Sequence, residues 1–417
     1  MSTLHTRPTI EIIPSRAAVC TTGQTKLTLM VRIVPPAVEK KCERPPLNIG
    51  LALDRSGSMG GEKLAAAKAA AIFLLRQLTP RDRVSVTVFD DRVETIVPST
   101  LATGIDAIEA AINRVDARGG TDLHKGWVQG GIQVGRYIEK GALNRVILLT
   151  DGQANQGETN PRVICRDVRG LLREDISTSA LGFGLGYNED LLEAMAEAGG
   201  GNYAFVESER QLERIFEVEL QQLNATVGKI VSLGLEAKEN VKIRDVYNDL
   251  KRNSLGRLML RNLIAEQPIE VVTKVRVEAS RNGGEVLGVR LAWTDPKTGE
   301  RHVLREVLSL PAVTADEWAA LPENEMVLQA RALLKVNRLR QRAAEAVDAG
   351  DYDGARRYAA EGSTTAKTSL PADLAALEVA SFTDFDQDLT TGEYSRAAKT
   401  SKFAAYQRRT SRRSDEA

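Results

Sequence analysis

The segment Asp54-Arg55-Ser56-Gly57-Ser58-Met59-Gly60 sets one carboxylate and two hydroxyls at alternate positions on a glycine-punctuated loop. Glycine at 57 and 60 relieves a tight backbone there. All three polar side chains end in hard oxygens, which suit Mg²⁺ or Mn²⁺ and not Zn²⁺. One carboxylate cannot balance a dication, so the chemistry requires more oxygens from elsewhere in the chain. Two stretches offer them: Gly119-Gly120-Thr121-Asp122 and Leu149-Thr150-Asp151-Gly152.

The elements that would position these oxygens are readable from hydrophobic pattern. Residues 47–53 form a continuous, mostly apolar run, as expected of a strand covered on both faces, and Asp54 follows directly. Over 63–78, Leu64, Ala67, Ala71, Leu74, Leu75 and Leu78 fall on one helical stripe. Further strands are expected at 84–89, 146–149, 176–181 and 202–206. Helices are expected at 105–115, 127–138, 163–172, 189–198 and 212–223. Strands alternating with helices predict a doubly wound, mostly parallel, Rossmann-like α/β sheet over residues 47–224. Ligands bind such sheets at the carboxyl ends of the strands, where the oxygen-bearing loops fall.

Taken in order, the three loops resemble the metal-ion-dependent adhesion site of von Willebrand factor type A domains, which combines Asp-x-Ser-x-Ser, a Thr and an Asp. All five positions are filled, by Asp54, Ser56, Ser58, Thr121 and Asp151. The resemblance implies a bound Mg²⁺, with Mn²⁺ or Ca²⁺ as alternatives. It implies that Ser56, Ser58 and Thr121 give hydroxyl oxygens to the ion, and that Asp54 and Asp151 often act through bound water. One coordination position is left for an Asp or Glu carboxylate of a partner protein. The outer segments look like those of intracellular bacterial members of the superfamily. Relatives of that kind often work beside AAA+ ATPases, so an AAA+ complex is the implied partner class.

The rival reading is that the same side chains only cap helices: Ser58 for 61–78, Thr121 or Asp122 for the helix after them, and Asp151 in a turn with Gly152. The cluster Gly182-Phe-Gly184-Leu-Gly186 lacks the final glycine of a dinucleotide fingerprint, since position 187 is Tyr, and reads as a loop bordering the metal site. Ser56-Gly-Ser58-Met-Gly60 fails as a nucleophile elbow because Ser56 stands where glycine is needed. His5, His124 and His302 are scattered, and no His/Cys zinc spacing occurs.

The expected function is therefore a non-enzymatic, metal-dependent protein-interaction module. A metal-assisted hydrolase is the alternative, with Asp122 and His124 as the nearby acid–base candidates. A structural scaffold with an incidental metal is a third reading.

Around this unit the chain changes character. Residues 1–46 carry two strand-like runs at 9–13 and 27–34 that need partners, and 225–312 is β-rich with turns at Asn282-Gly283-Gly284 and Asp295-Pro296. Together they predict an antiparallel, β-sandwich-like domain into which the α/β domain is inserted. Residues 313–395 read as a helical region built on a hairpin broken at Gly350, with a further helix over 372–380. From Arg396 to the end at 417 the chain is basic, carrying Lys399, Lys402, Arg408, Arg409, Arg412 and Arg413, and reads as a disordered tail.

Composition bounds the rest. The chain has 417 residues, 42% of them hydrophobic, with 56 basic and 56 acidic side chains. That excludes wholesale disorder and a dedicated polyanion binder, and nucleic acid is not an expected partner. The sparse Cys20, Cys42 and Cys165 form no disulfide framework and point to a reducing compartment. No run approaches the about 20 apolar residues of a membrane helix. No signal peptide is evident, and the expected location is cytoplasmic.

Overall fold

The computed structural model describes residues 7–37, 44–139 and 141–411. His5, Cys42, Arg412 and Arg413 lie outside them. The chain divides into two compact units, one built from 44–229 with 295–300, the other from 7–37, 230–294 and 301–411.

In chain order the second of these opens with β1 (Thr9–Pro14), β2 (Val19–Cys20) and β3 (Gln24–Val34). The α/β unit follows. It runs β4 (Leu47–Asp54), α1 (Glu62–Arg76), β5 (Arg83–Phe89), β6 (Val93–Leu101), α2 (Ile105–Asn113), α3 (Leu123–Gly135) and β7 (Leu143–Thr150). It continues through α4 (Pro161–Arg173), β8 (Ile176–Phe183), α5 (Glu189–Ala198), β9 (Gly200–Val206) and α6 (Glu209–Asn224). Its six strands lie in the order β6-β5-β4-β7-β8-β9, parallel except for β6.

The central pair β4 and β7 is buried at every residue. Their continuous apolar runs are what a strand with helices on both faces must have. One of these faces is sealed by Leu64, Ala67, Ala71, Leu74 and Leu75 of α1, which pack with Ile49, Leu51 and Ile147. Such core packing contributes about 25 cal/mol per Å² of apolar surface removed from water. The chain leaves β4 toward β5 on one side, while β7 lies on the other. This is the topological switch point at which a crevice opens outside the strand ends. Asp54 ends β4 and Asp151 follows β7, with Leu53 in register with Leu149.

Strand β6 is absent from the expectations. Its sequence VETIVPSTL is largely solvent-facing and contains Pro98, so it carries neither a buried-strand run nor a clean alternation. Pairing antiparallel at the sheet edge tolerates both.

The other unit resumes with β10 (Thr226–Ala237), β11 (Val241–Val246), β12 (Leu258–Met259), β13 (Leu263–Ile264), β14 (Ile269–Glu278), β15 (Gly284–Thr294), β16 (Arg301–Leu310) and β17 (Ala312–Val313). One sheet is ordered β1-β3-β14-β11, so strands from before and after the α/β segment pair directly. A second is ordered β12-β10-β15-β16, with β13 on β10. β17 and β2 form a short parallel pair.

Helices α7 (Ala315–Ala320), α8 (Glu325–Asp348), α9 (Tyr352–Ser369), α10 (Ala372–Thr391) and α11 (Tyr394–Arg409) complete it. Gly350, at φ 74°, ends α8 in the left-handed region where only glycine is unstrained.

The expected disordered tail is corrected here: residues 394–409 are helix α11. Ala397, Ala398, Ala405 and Tyr406 form a buried face, and the side chains of Lys399 and Lys402 are buried too. Lys402 reaches Asp348 of α8 at 2.5 Å, and Arg408 reaches Glu378 of α10. The tail carries no acid of its own before Asp415. Its counter-charges sit on other helices, which reading the segment alone does not reveal.

Replacing Ala398 by Leu is expected to lower stability by about 1–3 kcal/mol through overpacking. Arg396→Ala, at an exposed position, should change it by less than about 0.5 kcal/mol. Urea denaturation of the two variants checks this. Equal, negligible effects would mean that α11 is not docked.

Candidate metal centre

Three loops meet at the carboxyl edge of β4 and β7. The first holds Asp54, Ser56 and Ser58 and passes through a single 3₁₀ turn (Gly57–Met59) before α1. Asp54 is fully buried; its Oδ1 accepts from the Ser56 backbone N–H at 2.8 Å and its Oδ2 from the Thr150 hydroxyl at 2.5 Å. The Ser56 and Ser58 hydroxyls lie 3.2 Å apart, and Ser58 donates to Asp151 Oδ1 at 2.7 Å. Asp151 Oδ2 accepts from the Lys63 ammonium, on the first turn of α1, at 2.5 Å.

Thr121 enters from the second loop. A Cβ built on Gly152 would stand 3.1 Å from Thr121 Oγ1 and 3.7 Å from Asp54 Oδ2, so glycine is the residue that lets these groups close on one point. The Thr121 backbone N–H donates to Asn155 Oδ1 at 3.1 Å, and its carbonyl accepts from Gln156 N–H at 3.3 Å, which ties the second loop to the third. The first and second loops are joined by Gly57 N–H to the Gly119 carbonyl, 3.1 Å, and by Arg118 N–H to the Arg55 carbonyl, 2.8 Å.

Beneath that junction Asp90 Oδ2 accepts from Arg55 Nε at 2.8 Å and from Arg118 Nε at 2.7 Å. Burial by itself would raise the Asp90 carboxyl, but the bonds from Arg118, the Arg92 backbone and Arg55 outweigh it and hold the group below its ordinary range. Asp90 therefore stays a charge that clamps two loops.

All five expected side chains are thus brought together, and every oxygen among them is hard. Among the described residues no group of three or more His, Cys, Asp or Glu could hold a metal. Any metal here must use the hydroxyls. Two carboxylates with three hydroxyls fit Mg²⁺ or Mn²⁺ in donor type and charge. The ammonium of Lys63 on Asp151 shows that the cluster already attracts a cation.

The capping alternative holds only for Asp122, which is the N-cap of α3 and accepts from Lys125 N–H at 3.1 Å. Ser58 is not the cap of α1. That position is Gly61, without a side-chain bond. His124 faces Asp167 at 3.2 Å and packs near the Trp127 ring. The 182–186 loop does border the site, since a Cβ on Gly186 would lie 2.8 Å from the Asp151 carbonyl. Tyr187, which breaks the dinucleotide pattern, is a core side chain: its ring lies where a Gly182 Cβ would be, and its hydroxyl meets that of Tyr203 at 2.8 Å.

Thr150, Lys63, Arg55, Arg118 and Asp90 were not anticipated as parts of the site. Thr150 alone had a signal, because it neighbours Asp151 at the end of a buried strand.

An α/β sheet with oxygen donors from three loops at its switch point defines a class, and the residues match it. The family model of the von Willebrand factor type A domain matches residues 48–218, and this segment is such a domain. Its fold is also that of solved proteins. A von Willebrand factor type A protein from Catenulispora acidiphila superposes with a TM-score of 0.68 at 20% identity, covering 87% of each chain. The ArnB paralog VWA2 from Sulfolobus acidocaldarius gives 0.61 at 17% identity, over 94% of this chain and 98% of that one.

Among curated proteins, an uncharacterized protein of Synechocystis is 29% identical over 75% of this chain and 76% of its own length. The human inter-alpha-trypsin inhibitor heavy chain H4 is 32% identical over 37% of this chain. This chain spans only 18% of that protein, and 35% of a similar uncharacterized Escherichia coli protein.

Burial is the main cause that pushes Asp54 up to about 6, with the charge of Asp151 adding to it against the bonds from Thr150 and Ser56. A carboxyl raised on folding binds more protons folded than unfolded between pH about 4 and 6. In the metal-free protein its contribution to stability is present below about 4 and is lost as pH rises through 6. In EDTA, Asp54→Asn should therefore be more stable than wild type at pH 7, by on the order of 2 kcal/mol, with the gain vanishing near pH 4. Urea titrations at both pH values check this. A variant less stable at pH 7 would contradict it.

Proposed function

We propose that the α/β unit is a metal-dependent protein-interaction module. Its centre is a metal-ion-dependent adhesion site in which Asp54, Ser56, Ser58, Thr121 and Asp151 hold Mg²⁺, with Mn²⁺ or Ca²⁺ as substitutes. An Asp or Glu carboxylate of a partner protein is the ligand. The observation that carries this reading is the convergence of these hard-oxygen side chains from three loops at the switch point of the sheet.

When bound, the ion supplies a point of hard positive charge that accepts an anionic oxygen. The chain's own groups set that up. Thr150 and the Ser56 backbone N–H hold the Asp54 carboxylate in place. Ser58 orients Asp151. Asp90, through Arg55 and Arg118, fixes the spacing of the first two loops.

We read the module as non-enzymatic, because the residues that could serve a hydrolase are engaged otherwise: Asp122 caps α3 and His124 faces Asp167. An intracellular, cytoplasmic setting of the bacterial type, with an adaptor role beside an AAA+ ATPase complex, is the context we propose. It is supported by relatives in Synechocystis and Escherichia coli. Among the described residues no helix is long and apolar enough to cross a membrane.

Isothermal titration should show Mg²⁺ binding by the wild type, weakened about 100-fold or more in Asp54→Ala. Partner capture from the native cell lysate should require Mg²⁺ and fail with that variant. Capture that survives EDTA or Asp54→Ala would contradict the reading.

A further inference from the structure

We infer that Lys63 makes the metal-loaded site selective for an anion, acting as a second electrostatic contact for the ligand carboxylate and as a competitor of the metal in its absence. The inference rests on the metal-site reading above and extends it to a residue outside the ligand set. It starts from charge. With both carboxylates ionised, Asp54 and Asp151 together carry two negative charges, and the other three donors are neutral hydroxyls. A dication on that set gives a neutral centre. A neutral centre attracts a third carboxylate only through the short-range field of the ion's open face, against the free energy that the carboxylate's desolvation costs on docking. Lys63 changes the sum: with its ammonium the loaded site carries one surplus positive charge, the amount one ligand carboxylate neutralises.

Geometry places that charge where it can act. Lys63 Nζ lies 2.5 Å from Asp151 Oδ2, while the other oxygen of the same carboxylate takes the Ser58 hydroxyl. The ammonium is thus one carboxylate away from the donor cluster. Asp151 is almost wholly buried, whereas the Lys63 side chain is 36% exposed, so the lysine approaches from the solvent side, the side a ligand must use. A glycine loop borders it. Gly184 stands at φ 69°, in the region that favours glycine, and a Cβ there would lie 4.0 Å from Lys63 Cε. The loop that carries Gly184 also packs Gly186 against the Asp151 carbonyl. The lysine is therefore positioned by α1 on one side and bordered by the glycine loop on the other.

The two roles have opposite signs and so can be separated by measurement. Against the metal, Lys63 is a like charge that already satisfies Asp151, and removing it should tighten divalent binding. Toward the ligand it is an opposite charge, and removing it should weaken carboxylate binding to the loaded protein. A residue that merely helped α1 to fold would move both affinities the same way, or neither.

The test titrates Mn²⁺ into wild type, Lys63→Met and Lys63→Arg by calorimetry. Acetate is then titrated into each Mn²⁺-loaded protein, and displacement of ion-bound water is followed by water proton relaxation. Lys63→Met should bind Mn²⁺ about tenfold more tightly and need about tenfold more acetate for half-displacement, with Lys63→Arg close to wild type in both. Thermal melts in EDTA establish that each variant is folded, and Lys63→Gln replaces the methionine variant if that one is not. Wild-type binding of Mn²⁺ with unchanged affinities in Lys63→Met would overturn the role of Lys63 while leaving the metal site standing. Failure of the wild type to bind Mn²⁺ would overturn both.

Discussion

Two carboxylates held out of water at the ends of adjacent central strands are the constraint on which the rest depends. Asp54 and Asp151 are almost fully buried, and the charge of Asp151 adds to the difficulty of ionising Asp54. Like charges in a low-dielectric crevice raise the cost of ionisation, and a counter-cation relieves it. The fold creates this situation by burying β4 and β7 along their whole length, with apolar runs up to Leu53 and Leu149, so that the polar groups at the end of each strand emerge at the same edge. The surroundings then supply hydroxyl donors, a backbone N–H and an ammonium aimed at the two acids. A divalent ion such as Mg²⁺ would meet the same demand with a hard charge of two.

The loops that carry these groups are held together from below. Asp90 is the hub, because both Arg55 and Arg118 donate to it while their backbones link the first loop to the second. This arrangement fixes loop spacing with charge-assisted bonds to a buried carboxylate instead of regular secondary structure. It lets the oxygens converge without lengthening either strand. Glycine at 186 permits a close approach to the Asp151 carbonyl that a side chain would block, and at 152 a Cβ would press on the Thr121 hydroxyl.

Much of this was legible in the residues themselves. The runs at 47–53 and 146–149 announced buried strands because a strand with helices on both faces must be apolar throughout. Asp54, Ser56 and Ser58 stood out as hard oxygens on one loop, and the resemblance to the von Willebrand factor type A motif singled out Thr121 and Asp151 in the two other oxygen-bearing stretches. What stayed hidden depends on contacts distant in sequence. Lys63 looks like an ordinary surface residue of an amphipathic helix until Asp151 is placed beside it. Arg55 occupies an unspecified position of its motif, and only the fold brings Asp90 under it. Edge strand β6 hides because polar residues and a proline are acceptable there. Helix α11 hides because its basic side chains find their acids on α8 and α10.

The central claim, a single divalent ion held by five side chains from three loops, is tested most directly by diffraction at the manganese edge from crystals soaked in Mn²⁺. The account predicts one strong anomalous peak bounded by Asp54, Ser56, Ser58, Thr121 and Asp151. Well-ordered loops with no peak among those residues, or a peak elsewhere in the chain, would contradict it.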